Sequence, residues 1–170
     1  YSNIAFLTLR SSLISYFQTS IDLNLLLSDP NLETMDKTQK DKKHGIKYAG
    51  NSCNAILHFH HFVELILKDI LRSVNVLLAV DASDKPILLY KLIQNEPISE
   101  IDKEVLKQIE FKTALDRVIA LIKEKKLDDS YKFIQDSRHW LEKINLLRNR
   151  ISHRGVFILR YNALDELFGK

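Results

Sequence analysis

The amino-acid sequence predicts an all-α protein built as a helical bundle. Hydrophobic residues make up 45% of the 170 positions, with only 4 Gly and 3 Pro, and such a composition is typical of helical proteins. Apolar residues recur at helical spacing in successive segments, and no alternating stretch is long enough for a convincing strand. At this length we expect one domain, 1–170, that buries its own hydrophobic core without disulfides.

The first predicted helix covers residues 3–27. Its large apolar residues recur at helical spacing and are expected to face the core: Ile4, Leu7, Ile14, Phe17, Ile21 and Leu25. The cluster Ser28-Asp29-Pro30-Asn31 is predicted to end it. The lysine-rich segment 32–47 that follows is predicted to be a loop. It is either a solvated connection or a basic flap that binds RNA phosphates.

A second helix is predicted to start at Gly50-Asn51-Ser52 and to reach about Val80. Within it, Glu64 and Lys68 form an i,i+4 pair in the favourable order. The histidines just before this pair, in His58-Phe59-His60-His61, do not predict a metal site, because no carboxylates or cysteines cluster beside them. They are expected to be partly exposed, or to line a dimer or RNA surface.

The remaining segments also have helical patterns. Ser83 and Asp84 are predicted to cap a helix that restarts around Pro86, because Ser and Asp cap helices and Pro suits a first turn. An amphipathic helix is predicted over 104–126, a late helix over 130–152 and a last apolar segment over 157–168.

Composition narrows the functional classes. The single cysteine, Cys53, excludes an intrachain disulfide and suits a reducing, cytoplasmic compartment. The net charge of +3 permits nucleic-acid binding without requiring it. No apolar run approaches the roughly 20 residues of a membrane span, and the apolar N-terminus, broken by Arg10, is interpreted as a core helix rather than a signal sequence. We predict no cofactor, no metal and no membrane partner.

The side chains that suit catalysis lie at the end of the predicted late helix. Arg148 can hold a phosphate by bidentate hydrogen bonds, and His153 can move protons near neutral pH. Gly155 is predicted to stop the helix. The residues predicted to face the core are Trp140, Leu141, Ile144, Leu147 and Ile151, and those forming a separate polar strip are Asn145, Asn149, Ser152 and His153. The alternative is that the cations only offset the helix dipole.

The spacing of Arg148-Asn149, three residues, then His153 resembles the RNxxxH signature of the HEPN superfamily (higher eukaryotes and prokaryotes nucleotide-binding domains). Glu64 and Lys68 resemble a pair found in an early core helix of these domains. The resemblance covers about 51–168 in pattern and implies a HEPN-type helical bundle. Residues 48–170 would then form the HEPN core, and 1–47 an added helix and basic loop.

The resemblance also implies an activity. Catalytic HEPN members are metal-independent ribonucleases that act as homodimers, with the motifs of two protomers facing one cleft. Arg148, Asn149 and His153 would be catalytic, and the products would be a 2′,3′-cyclic phosphate and a 5′-hydroxyl. The supporting residues would be Glu64, Lys68 and Ser152, and the candidate RNA contacts are Arg150, Arg154, Lys42 and Lys43. The implied substrate is RNA, with tRNA one candidate, in a toxin–antitoxin or antiviral defence setting with an antitoxin or another regulatory partner.

Two alternatives stay open. The chain could be a HEPN-like adaptor, nucleotide-binding module or dimerisation unit that does not cut RNA, or a helical protein whose last long helix ends in Arg and His by coincidence. One departure bears on partners: many HEPN toxins with nucleotidyltransferase antitoxins carry a Tyr two residues after the His, and here that position is Gly155. We therefore do not predict that partnership.

Overall fold

The computed structural model describes residues 2–31, 33–34, 36, 45–82, 85–154 and 161–168. The helices of this part of the chain are α1 (Ser2–Leu27), α2 (Ile46–Val74), α3 (Pro86–Ile93), α4 (Glu100–Val105), α5 (Phe111–Lys123), α6 (Lys132–Asp136), α7 (Arg138–Arg154) and α8 (Tyr161–Phe168). Two 3-10 turns, Val76–Ala79 and Asp129–Tyr131, and two short strands, β1 (Val80–Asp81) and β2 (Lys107–Gln108), complete it. The predicted all-α class is confirmed.

The chain divides into two compact units. The central unit is chiefly Val63–His139, and the terminal unit combines Asn3–Phe62 with Trp140–Lys170. The division falls within α2 and near the start of α7. The N-terminal helix therefore groups with the motif helix. The division into an extension, 1–47, and a core, 48–170, stays a prediction. The single domain predicted from chain length stays a prediction.

The terminal unit packs α1, the first half of α2, α7 and α8 around a small apolar cluster. Its buried members, Ile56, Leu147 and Leu164, come one each from α2, α7 and α8. Tyr16 of α1 packs against this cluster, and its ring stacks on Phe168 with 4.8 Å between ring centroids. These contacts hold the motif helix through its apolar side.

The central unit contains a second cluster, made of Val80, Ala82, Leu88, Leu92 and Leu106. Beside it, β1 pairs antiparallel with β2, with Val80 opposite Gln108 and Asp81 opposite Lys107. The Arg117 guanidinium donates through Nη1 to the Leu78 carbonyl at 2.7 Å and to the Val80 carbonyl at 3.3 Å. These bonds satisfy backbone acceptors where the 3-10 turn passes into the strand.

One residue in the central unit has a shifted pKa. The Asp128 carboxylate accepts a hydrogen bond from the Ser130 amide at the start of the second 3-10 turn. Hydrogen bonds from Ser130 stabilise the charged form and lower the pKa of this exposed carboxyl group.

Several predicted helix boundaries are wrong. α2 begins at Ile46 rather than Gly50 and ends at Val74 rather than Val80, because Asn75 is extended and its side chain accepts from the Leu77 amide. The helix expected over 104–126 begins at Phe111, since the preceding residues pair as strand β2. The sequence did not predict these strands, which are too short to show an alternating pattern.

The predicted late helix is likewise interrupted. A 3-10 turn and α6 precede α7, and Ser137 between the two helices has ψ near 3°, outside the helical range. The predicted cap residues Ser83 and Asp84 lie outside the described residues, whereas Pro86 occupies the first turn of α3 as expected. No described helix is both long enough and apolar enough to cross a membrane.

The orientation predicted for α1 is wrong. The six residues expected in the core are 50 to 62% exposed: Ile4, Leu7, Ile14, Phe17, Ile21 and Leu25. The buried residues of α1 are small or polar: Ala5, Ser12, Thr19 and Asp22. Ser12 Oγ donates to the Ala55 carbonyl at 2.8 Å, and Asn51 Nδ2 donates to Asp22 Oδ2 at 2.7 Å. Small side chains allow a close approach to α2, and the polar ones are satisfied there.

Candidate functional site

The candidate site lies in the last turns of α7. Ile144 and Leu147 are buried on the apolar side of this helix, as predicted, and Ile151 packs against the same cluster as Leu147. Helical geometry then turns the residues at 149, 152 and 153 away from that cluster and leaves Arg148 at its border. The packing of α7 therefore sets which side chains of the motif reach solvent.

The motif residues differ in exposure. Arg148 and Asn149 are half-buried, whereas Ser152 and His153 are exposed. Arg148 Nη1 donates to Asn149 Oδ1 at 3.0 Å, so the guanidinium is oriented by the adjacent amide and keeps further N–H donors. This arrangement can present a cation and an imidazole to an anionic ligand from one helix end.

Arg148 and His153 do not share one face of α7. Five residues separate them, which corresponds to about 7.5 Å along the helix axis and about 140° around it. The two side chains therefore leave a single copy of the helix in different directions.

The partial exposure predicted for the histidines of α2 is wrong for His60. This residue is 4% exposed, and its Nε2–H donates to Asn145 Oδ1 at 3.0 Å. The bond joins α2 to α7 one turn before Asn149 and fixes the motif helix at the start of its polar strip. A signal was present in the sequence, because Ile56, His60 and Val63 recur at helical spacing on the buried side of α2.

Glu64 and Lys68 form the predicted ion pair. Lys68 Nζ lies 2.6 Å from Glu64 Oε1, and Lys68 is buried. Both residues belong to the central unit, whereas the motif of α7 belongs to the terminal unit. The supporting role of this pair beside Arg148 and His153 stays a prediction.

Other predicted site residues fall at or beyond the edge of the described structure. Lys42, Lys43 and Gly155 lie outside the described residues, and of Arg154 only the helical backbone is described. Arg150 is half-buried within α7. No three His, Cys, Asp or Glu side chains of the described part of the chain are grouped as metal ligands, and Cys53 is a half-buried thiol.

Comparisons of the chain with protein-family models, with curated proteins and with solved structures found no match. A function for this chain therefore has to be argued from its own residues and their geometry, together with the sequence resemblance.

Proposed function

We propose that this chain is a metal-independent endoribonuclease of HEPN type that leaves 2′,3′-cyclic phosphate ends. The observation that carries the proposal is the Arg148-Asn149 pair followed by an accessible His153 at the end of α7, which is held by the buried Ile144 and Leu147. A solvent-exposed imidazole and an oriented guanidinium are the groups that this chemistry needs.

The proposed reaction starts at a ribose 2′-hydroxyl. The His153 imidazole of one protomer takes the hydroxyl proton as O2′ attacks the adjacent phosphorus. A P–O2′ bond forms and the P–O5′ bond breaks, and the leaving 5′-oxygen takes a proton from the His153 imidazolium of the second protomer. Arg148 stabilises the additional negative charge on the pentavalent phosphate, and Asn149 orients Arg148.

A homodimer is the proposed active form. Arg148 and His153 leave α7 about 140° apart around its axis, which suits a cleft in which the Arg of one copy and the His of the other act on the same phosphate. The same arrangement provides two imidazoles, one as base and one as acid. Glu64, Lys68 and Ser152 support the site in this proposal.

The substrate is RNA, with tRNA as the first candidate, and the setting is toxin–antitoxin or antiviral defence in the cytoplasm with an antitoxin or regulator as partner. The side chains proposed to bind the RNA backbone are Arg150, Arg154, Lys42 and Lys43. Their cations release counterions from phosphates on binding, so cleavage should weaken as the salt concentration rises.

A second candidate function rests on a different observation. α1 exposes a large apolar face, and such a face suits the interaction surface of a non-catalytic HEPN-like adaptor or dimerisation module. The two functions are distinguished by whether the protein cleaves RNA and whether that cleavage requires His153.

The deciding experiment is cleavage of labelled tRNA and single-stranded RNA in EDTA, with identification of the product ends. We expect His153→Ala to lower the rate by about 100-fold or more, in the range for loss of a general acid–base group, and Arg148→Ala to lower it as well. His61→Ala is the matched control, since His61 is an exposed histidine on α2. Equal background cleavage by the wild type and His153→Ala would leave the adaptor function.

A further inference from the structure

α1 has two chemically opposite faces. Ala5, Ser12 and Thr19, spaced by seven residues, are fully buried, and Ser12 contacts the Ala55 carbonyl of α2. Leu7, Ile14 and Ile21, also spaced by seven, lie on the other side of the helix. The side of α1 that is usually buried in a globular protein is therefore the side that faces solvent.

The exposed face is too large to be incidental. Its members, called the outer face here, are Ile4, Leu7, Ile14, Phe17, Ile21 and Leu25, each at least half exposed. At about 100 Å² of exposed surface per side chain, the face amounts to roughly 600 Å², close to the ~800 Å² that each partner contributes to a standard protein interface. An apolar patch of this size marks an interaction site.

We propose that the outer face of α1 pairs with the outer face of α1 in a second copy of the chain, antiparallel and centred on Ile14. The spacing is self-complementary about this residue. In a two-fold antiparallel pair, Ile14 meets Ile14 of the other copy, and Leu7 meets its Ile21. A two-fold interface requires such a match of a surface with itself.

Charge selects the antiparallel direction. Arg10 is the only basic residue of α1, is exposed, and lies between Leu7 and Phe17 around the outer face. In a parallel pair in register, Arg10 would meet Arg10 of the other copy, and like charges would repel. In the antiparallel pair it lies opposite Phe17 and Gln18, where a cation can stack on an aromatic ring.

The same composition argues against a membrane surface as the occupant. A helix that lies on anionic lipid carries several Lys or Arg residues along its polar face. α1 has Arg10 and no other cation, and its second face is covered by α2 through Ser12 and Asn51. An apolar helix face of matching spacing is the better fit.

The first test is the mass of the chain in solution by sedimentation equilibrium. We expect the wild type at tens of micromolar to have twice the monomer mass, and Ile14→Asp to self-associate about 100-fold more weakly, since a charge would be desolvated at the centre of the interface. Ile87→Asp is the matched control, because Ile87 is 72% exposed on α3, and it should leave the mass unchanged. Circular dichroism confirms that each variant folds.

The second test reads the direction and does not require Ile14→Asp to fold. In a Cys53→Ser background, Ile14→Cys should form a disulfide-linked dimer on mild oxidation. Leu7→Cys should not, because the two positions would lie about 21 Å apart along an antiparallel pair, beyond the ~7 Å that a disulfide can span. A mixture of Leu7→Cys and Ile21→Cys proteins should cross-link.

Three results would overturn the proposal. These are a monomeric wild type, a dimer unchanged by Ile14→Asp, and cross-linking of Leu7→Cys with itself as efficiently as Ile14→Cys. The inference is carried by α1 alone and does not require that the chain cuts RNA. Two results would distinguish the proposals. If His153→Ala abolishes cleavage and remains a dimer, the active site is supported independently of the interface; if Ile14→Asp becomes a monomer and the wild type never cleaves RNA, only the interface is supported.

Discussion

α1 and α5 have the same kind of sequence pattern, but α5 buries its large apolar residues and α1 exposes them. In both helices large apolar residues recur at helical spacing. In α5 these residues are buried: Phe111, Ala114, Leu115, Val118, Ile119 and Ile122. In α1 the large apolar residues are exposed, and Ala5, Ser12 and Thr19 are buried instead. The comparison shows that apolar periodicity identifies a helix and divides its faces, but does not decide which face is covered.

The difference follows from what each helix packs against. The apolar face of α5 is covered within the protein, so water is removed from large side chains. α1 contacts α2 through small residues, which allow the two backbones to approach closely, as the Ser12 bond to the Ala55 carbonyl shows. The six residues of its outer face stay at least half exposed, and in our proposal a second copy of the chain covers them.

The largest expected effect is at the buried face of α5. Leu115 is 1% exposed, so Leu115→Ala should lower the free energy of unfolding by about 2 to 5 kcal/mol through lost burial and a cavity. Ile14→Ala on α1 should change it by about 0.5 kcal/mol or less. Urea denaturation, at a protein concentration too low for self-association, measures the change in the free energy of unfolding for both variants. An equal loss at Ile14 would place the outer face of α1 in the core of the protomer.

A smaller effect is expected when the buried face of α1 is enlarged. Ser12 is fully buried, so Ser12→Leu should destabilise by about 1 to 3 kcal/mol because the larger side chain pushes α1 away from α2. Asn24→Leu, at an exposed position of the same helix, should stay within about 0.5 kcal/mol. If Ser12→Leu were neutral or stabilising in the same urea titrations, close packing would not explain the orientation of α1.

The smallest effect concerns His60, a polar residue on the buried face of α2. A double-mutant cycle of His60→Ala and Asn145→Ala should give a coupling energy of about 1 kcal/mol, the usual net value of one hydrogen bond. The same cycle with His61→Ala should give a value near zero, since His61 is exposed. A coupling energy indistinguishable between the two histidines would mean that the bond from His60 does not stabilise the position of α7.

Much of the candidate site could be predicted from the sequence. The spacing of Ile144 and Leu147 indicated the buried side of α7, and the accessible end of the helix carries Ser152 and His153. The i,i+4 pair of Glu64 and Lys68 was also predicted and forms at 2.6 Å. These features are local, because they depend only on helical geometry over a few residues.

Long-range contacts account for the errors that local features do not explain. The start of α5 at Phe111 follows the pairing of β2 with β1, whose strands are distant in sequence and only two residues long. The bond from His60 to Asn145 joins residues 85 positions apart. The spacing of His60 matches the buried face of α2, but the histidines were predicted to be partly exposed, and nothing local indicated Asn145 as the partner of His60.

The sequence by itself determined that the chain is helical, where the long helices lie and which residues share a face with Arg148 or His153, because these follow from turn-by-turn spacing. Only the tertiary structure decided that α1 presents Leu7, Ile14 and Ile21 to solvent and Ser12 to α2. The physical reason is that burial depends on the surface opposite a helix. A stripe of small residues facing α2 can pack more closely than the larger apolar stripe on its other side, and spacing along one helix does not contain that information.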